Sequence, residues 1–466
     1  MAENRNHSKK QKHILYMAMI TSFITTFTGS AINLSIPDIE TEFGVSAAMV
    51  GWIVTAYTLT TAMLSVPMGK IADSTGRRRV LITGVSLFAV LAVSCIFSVN
   101  IAMFITLRAL QGMAASMIFA TNNAILIDAF PLEERGKVLG TSVAATYTGL
   151  SLGPVLGGFL NDHFGWRSIF IVTCLVAAVS LFFIVTGAPK DSREGRKAIV
   201  DIPGNLLFIS SIGLFLCGLT NVTITESGKL MMIAGVLLAV LFVVREQRAQ
   251  DPLIRLSMFT KDAAFTLSNL AALLNYGATF AITYLLSIYL QVVSGYSSET
   301  AGLILIFMPA VQAVLSPLAG SLSDRVAPYK VASLGMLVCA GGLTLFSFVG
   351  EGTHLTYIIF ALMFEGFGFA LFSSPNTNAI MSRVGKKDYS IAQSIVATMR
   401  TMGHTSSMAV VTIIVGIKMS GKALTEAPAG LLIDTIRLIF RVFIVLCLIG
   451  TLMSMKRGDK KILDED

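Results

Sequence analysis

The sequence predicts an all-α integral membrane protein of fourteen transmembrane helices, arranged as two six-helix bundles with an extra helix pair between them. Three observations carry that prediction. Of 466 residues, 54% are hydrophobic and only 13% charged, with a mean hydropathy of +0.75, whereas soluble domains carry about 25% charged residues. The apolar residues come in runs of the length that crosses hydrocarbon as a helix, about 20 residues. The loops between those runs alternate in basic charge, and the two halves of the chain resemble each other.

The runs fall at roughly 14–35, 48–69, 80–99, 101–127, 136–160, 168–188, 199–220, 229–245, 263–292, 300–322, 330–350, 354–380, 390–416 and 433–455. The first follows Arg5, Lys9, Lys10 and Lys12. No small-residue cleavage site precedes an extended soluble domain, so it reads as a retained signal anchor. The expected organisation is a tail over 1–13, a bundle over 14–188, the extra pair over 199–245, a second bundle over 263–455 and a tail over 456–466. Loops on the side of the N-terminus hold Lys70 with Arg77, Arg78 and Arg79, then Arg135 and Lys137, and later Arg325 with Lys330, while the opposite loops hold only Arg167, Lys229, Lys418 and Lys422. By the positive-inside rule both termini are cytoplasmic, which requires an even number of spans. Arg437 and Arg441 interrupt the last run, as residues that snorkel to an interface do.

"GKIADSTGRRRV" from Gly69 matches "GSLSDRVAPYKV" from Gly320, and "QGMAASMIFATNNAI" from Gln111 matches "EGFGFALFSSPNTNAI" from Glu365. The offsets, 251 from Asp73 to Asp324 and 254 from Gly112 to Gly366, are nearly constant. Repeated halves around a midplane site are a transporter's organisation. The five cysteines all lie in apolar runs, which excludes a disulfide scaffold, and no Cys/His spacing suggests a metal. No Gly-x-x-x-x-Gly-Lys-Ser/Thr loop points to ATP. The net charge of +8 is spread over membrane-flanking loops, so nucleic acid is not an expected partner, and no cofactor is expected.

Three motifs sit on this frame. In the short turn between the second and third spans, Gly69 permits close helix approach and Gly76 a tight turn. Asp73 there can cap a helix or accept from Arg77 and Arg78, and Asp324 and Arg325 stand at the repeat position. In the fifth span, "GLSLGPVLGG" places Gly149, Gly153, Gly157 and Gly158 around Pro154, which kinks a helix and lets neighbours touch closely. In the fourth, "LRALQG" buries Arg108 one turn before Gly112.

These motifs resemble those of the major facilitator superfamily: the signature loop Gly-x-Leu-Ala-Asp-x-x-Gly-Arg-Lys, with Ile71 in the Leu place, the antiporter motif Gly-x-x-x-Gly-Pro-x-x-Gly-Gly, and Arg-x-x-Gln-Gly. With fourteen spans, and "DIPG" at Asp201 opening the seventh, the chain is similar to the fourteen-helix drug/proton antiporters that export quaternary ammonium compounds. The resemblance implies the major facilitator fold, a charge latch at Asp73 and exchange against protons. One departure stands out: the acid usual in the first span is replaced by Thr28.

Glu365 is the only charge between Tyr357 and Phe372, although an acid at the centre of a span costs about 2.5–3.5 kcal/mol. By the resemblance its span lines the central cavity, which makes Glu365 the expected proton carrier. Loss of water favours its neutral form, and a nearby Arg108 or Arg400 would favour the ionised one; a Glu365–Arg400 pair that only locks two helices is the alternative. Asn33, Asn275, Tyr276 and Asn376 are the candidate polar contacts for substrate, beside Phe and Met residues that adapt to varied shapes. The expected function is proton-coupled export of small amphipathic compounds or drugs out of the cytoplasm by a monomer, not an enzyme, embedded in the lipid bilayer of the plasma (inner) membrane. A proton-coupled carrier for one metabolite, or a non-transporting receptor or scaffold, are the rivals.

Overall fold

In hydrocarbon every backbone N–H and C=O must be satisfied within its own segment, which leaves helices as the form for a chain of long apolar runs. The computed structural model describes residues 2–130, 135–187, 201–221, 226–249, 252–254, 256–384, 389–419 and 427–457, and among them there is no strand. The N-terminal half holds α1 (Ala2–Ala31), a 3-10 turn (Ile32–Ser35), α2 (Ile36–Phe43), α3 (Ala47–Thr75), α4 (Arg77–Ile96), α5 (Ile101–Ala129), α6 (Arg135–Phe164) and α7 (Arg167–Gly187). The pair α8 (Ile202–Asn221) and α9 (Glu226–Glu246) follows. The C-terminal half holds α10 (Ser257–Lys261), α11 (Ala263–Thr279), α12 (Ile282–Ile288), a π-turn (Tyr289–Val293), α13 (Ser298–Leu305), α14 (Phe307–Arg325), α15 (Pro328–Phe346), α16 (Leu355–Met381), α17 (Tyr389–Met419) and α18 (Ala429–Met455).

Thirteen stretches among the described residues are long and apolar enough to cross a membrane. The run expected at 136–160 is α6, thirty residues long but diluted by glycine and hydroxyl side chains. Some runs differ from expectation in shape. The first extends through a 3-10 turn to Phe43, with Pro37 in the first turn of α2, and its helix reaches back to Ala2 through the stretch expected as a tail. The runs at 263–292 and 300–322 each divide into two helices. At the first of those breaks the amide of Ala281 donates to Ser407 Oγ of α17 at 3.2 Å, so a side chain of a neighbouring helix satisfies that backbone donor.

The internal repeat is visible in packing. Gly112 of α5 lies against the backbone of Tyr57 in α3, and its counterpart Gly366 of α16 lies against the backbone of Met308 in α14; a Cβ at either would collide with a carbonyl. Pro67 and Pro317 fall inside the corresponding helices α3 and α14. α1 and α3–α7 pack as one bundle and α11–α18 as the other. The α8–α9 hairpin packs on itself where Gly218 meets Met232 and Gly235 meets Phe215, and α8 leans on both α3 and α17. Leu175, Phe182, Leu230 and Leu237 stand exposed on outward faces, as expected where lipid is the solvent.

The bundles meet along α6 with α13 and α14, and along α3 with α17. Their described hydrogen bonds concentrate at the end away from Arg77–Arg79. There Ser287 Oγ donates to Asn33 O at 3.0 Å and Ser298 Oγ to Leu34 O at 3.2 Å. Asn161 Nδ2 donates to Ser298 Oγ at 3.1 Å, and the Glu299 amide to Asp162 Oδ2 at 2.8 Å.

Candidate substrate cavity and coupling site

A cavity of about 230 Å³ lies between the bundles, walled by α1, α3, α5 and α6 on one side and α11, α14, α16 and α17 on the other. Its wall mixes rings (Tyr57, Phe119, Tyr147, Tyr276, Phe280, Phe369, His404) with hydroxyls and amides. His404 stacks on Phe280 at 4.1 Å between ring centroids and meets Tyr276 edge-on at 5.6 Å. A chain of hydroxyls crosses from one bundle to the other: Ser373 Oγ of α16 pairs with Tyr147 of α6 at 2.9 Å and with Tyr276 of α11 at 3.2 Å.

Glu365 borders this cavity and is the only acid among its described lining residues. It is fully buried, and among the described residues no nitrogen or hydroxyl donor reaches either carboxylate oxygen, which leaves only the weak Cys339 thiol. Oε2 occupies the space a side chain would fill on Gly342 of α15, with the Cys339 thiol beside it. Gly342 therefore makes the room into which the carboxylate turns, away from the cavity's centre.

The structure separates the three residues expected to couple protons. Arg400 lines the cavity; Arg108 does not, and no ion pair joins Glu365 to either among the described residues. Arg108 is fully buried between α3 and α5, with its guanidinium over the Tyr57 ring at 4.4 Å, one donor to Gln111 Oε1 and Nε directed at Ile53 O at 3.4 Å. Those groups are within reach because Gly112 brings the two helices together.

Of the polar contacts expected for substrate, Asn33 and Tyr276 line the cavity. Asn275 does not: it is fully buried on the other face of α11, toward Cys339 and Cys447. Asn376 does not either, because its Oδ1 accepts from Arg457 at 2.6 Å and its amide is directed at Ser268 O at 3.4 Å, which ties the end of α18 to α16 and α11. Thr28, in the place of the usual first-span acid, is also off the cavity; it donates to Ile24 O at 2.8 Å and pairs with Thr173 of α7 at 3.0 Å. Helical register turns these three side chains into helix contacts.

The glycine motif of α6 has a direct geometric meaning. Gly149, Gly153 and Gly157, each one turn apart, press on Phe23, Ser30 and Ala31 of α1. Gly158 presses on Ser298 and Glu299 of α13, while the Pro154 carbonyl fills the notch left by Gly302. The motif thus serves two interfaces, one inside its bundle and one between bundles. In the signature loop, Gly76 takes φ +112° at the junction of α3 and α4, whereas Gly69 makes only ordinary contact with Ala120 at 3.9 Å. The side chains of Asp73 and Asp324 lie outside the described residues; Arg325 is exposed. Arg78 donates to Val185 O at 3.0 Å, so it anchors the start of α4 to the end of α7.

Sequence reasoning missed Tyr147, Ser373, Phe280 and Gln312. None carries a composition signal; Tyr147 could be suspected only as a large polar ring two residues before the first motif glycine.

A family model described as Major Facilitator Superfamily matches residues 18–408. The chain is 30% identical over 397 residues to the riboflavin transporter RibZ of Clostridioides difficile, covering 84% of this chain and 86% of that protein. It is 30% identical over 385 residues to the multidrug resistance protein Stp of Mycobacterium tuberculosis, covering 81% and 71%. The fold is similar to that of a crystallised D-xylose–proton symporter, with a TM-score of 0.71, 14% identity, and coverage of 97% and 98%.

Proposed function

The chain belongs to the major facilitator superfamily, and from that premise we propose that this multi-pass membrane transporter is a proton-driven antiporter exporting amphipathic organic compounds by alternating access. Glu365 carries the reading: the one acid among the described residues of the interbundle cavity wall, buried, with no ion pair among those residues and only the weakly donating Cys339 thiol beside its carboxylate. An ionised carboxylate in that setting is costly, so Glu365 holds its proton while the site is closed and releases it when water or substrate reaches the carboxylate. Multidrug resistance relatives such as Stp support export, and the mixture of rings and hydroxyls suits substrates with both faces.

With the basic loops on the cytoplasmic side, the hydrogen bonds of Ser287, Ser298, Asn161 and Glu299 close the external end. Alternation then breaks this set and the Tyr147–Ser373 contact, and parts α6 from α13 at Gly158. The charge latch expected of Asp73 restrains the opposite end. Arg108, bonded within its own bundle, holds α3 to α5 rather than handling the proton, and Arg400 faces substrate.

The test is export in proteoliposomes under an imposed proton gradient. Glu365→Gln keeps size but removes the titratable proton, so gradient-driven export and substrate-induced proton release should both be lost while binding of a neutral substrate persists. Glu365→Asp should retain part of the activity with a shifted pH optimum. Full proton-coupled export by Glu365→Gln would sink the proposal. A second reading, uptake of one ring-bearing metabolite, is favoured by the similarity to a riboflavin transporter; the direction of gradient-driven flux separates the two.

A further inference from the structure

The cavity's charge is unbalanced, and its sign has a consequence for what enters. Among the described lining residues there is one permanent cation, Arg400, and one acid, Glu365. The acid turns its carboxylate into the notch at Gly342, and among the described residues Arg400 has no hydrogen-bond or ion-pair partner. With Thr28 in the usual place the middle of the first span carries no acid, and His404, one turn from Arg400, adds no negative charge in either protonation state. A guanidinium is never deprotonated in a protein and presents a planar fork of donors that matches carboxylate, phosphate or phenolate oxygens. In a partly desolvated site such a group attracts anions and repels cations far more than it would in water. The same cavity is lined by Tyr57, Tyr147, Tyr276, Phe280, Phe369 and His404, and rings of this kind favour a flat partner that stacks or meets them edge-on.

We propose that the preferred substrates are flat aromatic compounds bearing an anionic group, held by Arg400 with their rings among those six side chains, rather than quaternary ammonium cations. Aromatic faces also attract cations, but each cation entering this cavity must do so beside Arg400 with no ionised carboxylate directed at it. The inference rests on the reading of the cavity as the substrate path and is independent of the direction and energy source of transport.

Two dyes of one ring system and nearly one size separate the charge signs: resorufin, an anion once its phenol is ionised, and oxonine, the diaminophenoxazinium cation. Binding to the full chain in detergent is followed by fluorescence anisotropy at a pH where resorufin is ionised. The wild type should bind resorufin roughly tenfold or more tightly than oxonine, the size expected of one charge-assisted hydrogen bond. Arg400→Gln should remove that preference, and Arg400→Lys, which keeps the charge but not the fork, should retain part of it. Equal or tighter binding of oxonine by the wild type overturns the proposal without any variant, as does binding of neither dye. An unchanged dye ratio in folded Arg400→Gln overturns the role of Arg400. Because binding needs no gradient, absence of proton-driven export alongside a resorufin preference rejects the antiporter reading and leaves this one standing.

Discussion

Gly158 offers the sharpest test of how the antiporter-like motif acts, because its neighbours in the motif touch a different partner. A Cβ built on Gly157 would lie 2.7 Å from Ala31 O and 2.8 Å from Ala31 Cα, inside the N-terminal bundle. A Cβ on Gly158 would run into the Ser298 carbonyl, 2.7 Å from its carbon and 2.9 Å from Glu299 Cα, across the seam between bundles. Ordinary contact needs at least 3.4 Å, so either methyl group pushes backbone away by several tenths of an ångström, and neither obstacle is a flexible side-chain tip. Overpacking of this kind costs about 1–3 kcal/mol. At Gly157 that cost falls on every state that keeps α6 on α1, and so on stability. At Gly158 it falls only on the state in which α6 touches α13, which shifts the conformational equilibrium about 5- to 150-fold. Asn33→Cys supplies the assay, since this buried cavity position lies beneath the seam. An impermeant maleimide applied to intact cells should label it faster by that factor in Gly158→Ala, up to the point where the externally open state predominates. Gly157→Ala should lower thermal stability with much less effect on labelling. Equal labelling in a folded Gly158→Ala protein would refute the division of the motif between two interfaces.

Glu365 and Arg400 supply the transport and dye-binding outcomes given above. Tyr147→Phe removes one hydroxyl from the bridge to Ser373; losing a bond of about 0.5–1.5 kcal/mol should populate the open state several-fold more, read by the same labelling, while Tyr276→Phe, inside the C-terminal bundle, should change it less. Burial opposes ionisation of Asp201, but the Arg245 guanidinium at 2.7 Å and the Gly204 amide outweigh it and hold its carboxyl below the usual value. A group lowered on folding stabilises above its unfolded pKa and loses that contribution as pH falls through the folded one. The α8–α9 hairpin should therefore stay clasped at neutral pH and loosen below about pH 4. Asp201→Asn should cost at most about 1 kcal/mol at neutral pH, because Arg245 is exposed, and limited proteolysis of the hairpin would read both effects.

Local chemistry made much of this protein legible in the sequence. Apolar run length dictates helices wherever lipid is the solvent, and the constant offset between Asp73 and Asp324 exposes the repeat that Gly112 and Gly366 then realise at matching helix contacts. The motif glycines of α6 announced close packing, and Glu365 announced itself because a charge in a span is costly. What the sequence could not decide was direction. Whether Asn275 faces substrate or Cys339, whether Asn376 faces the cavity or Arg457, and whether Arg108 meets Glu365 or Tyr57 depend on helix rotation and on breaks such as that at Ala281. A span apolar on all sides carries little amphipathic signal to fix its rotation. That is set by packing against neighbours distant in sequence, so only the tertiary structure could gather Glu365, Arg400, Tyr147 and Tyr276 around one cavity and leave Arg108 outside it.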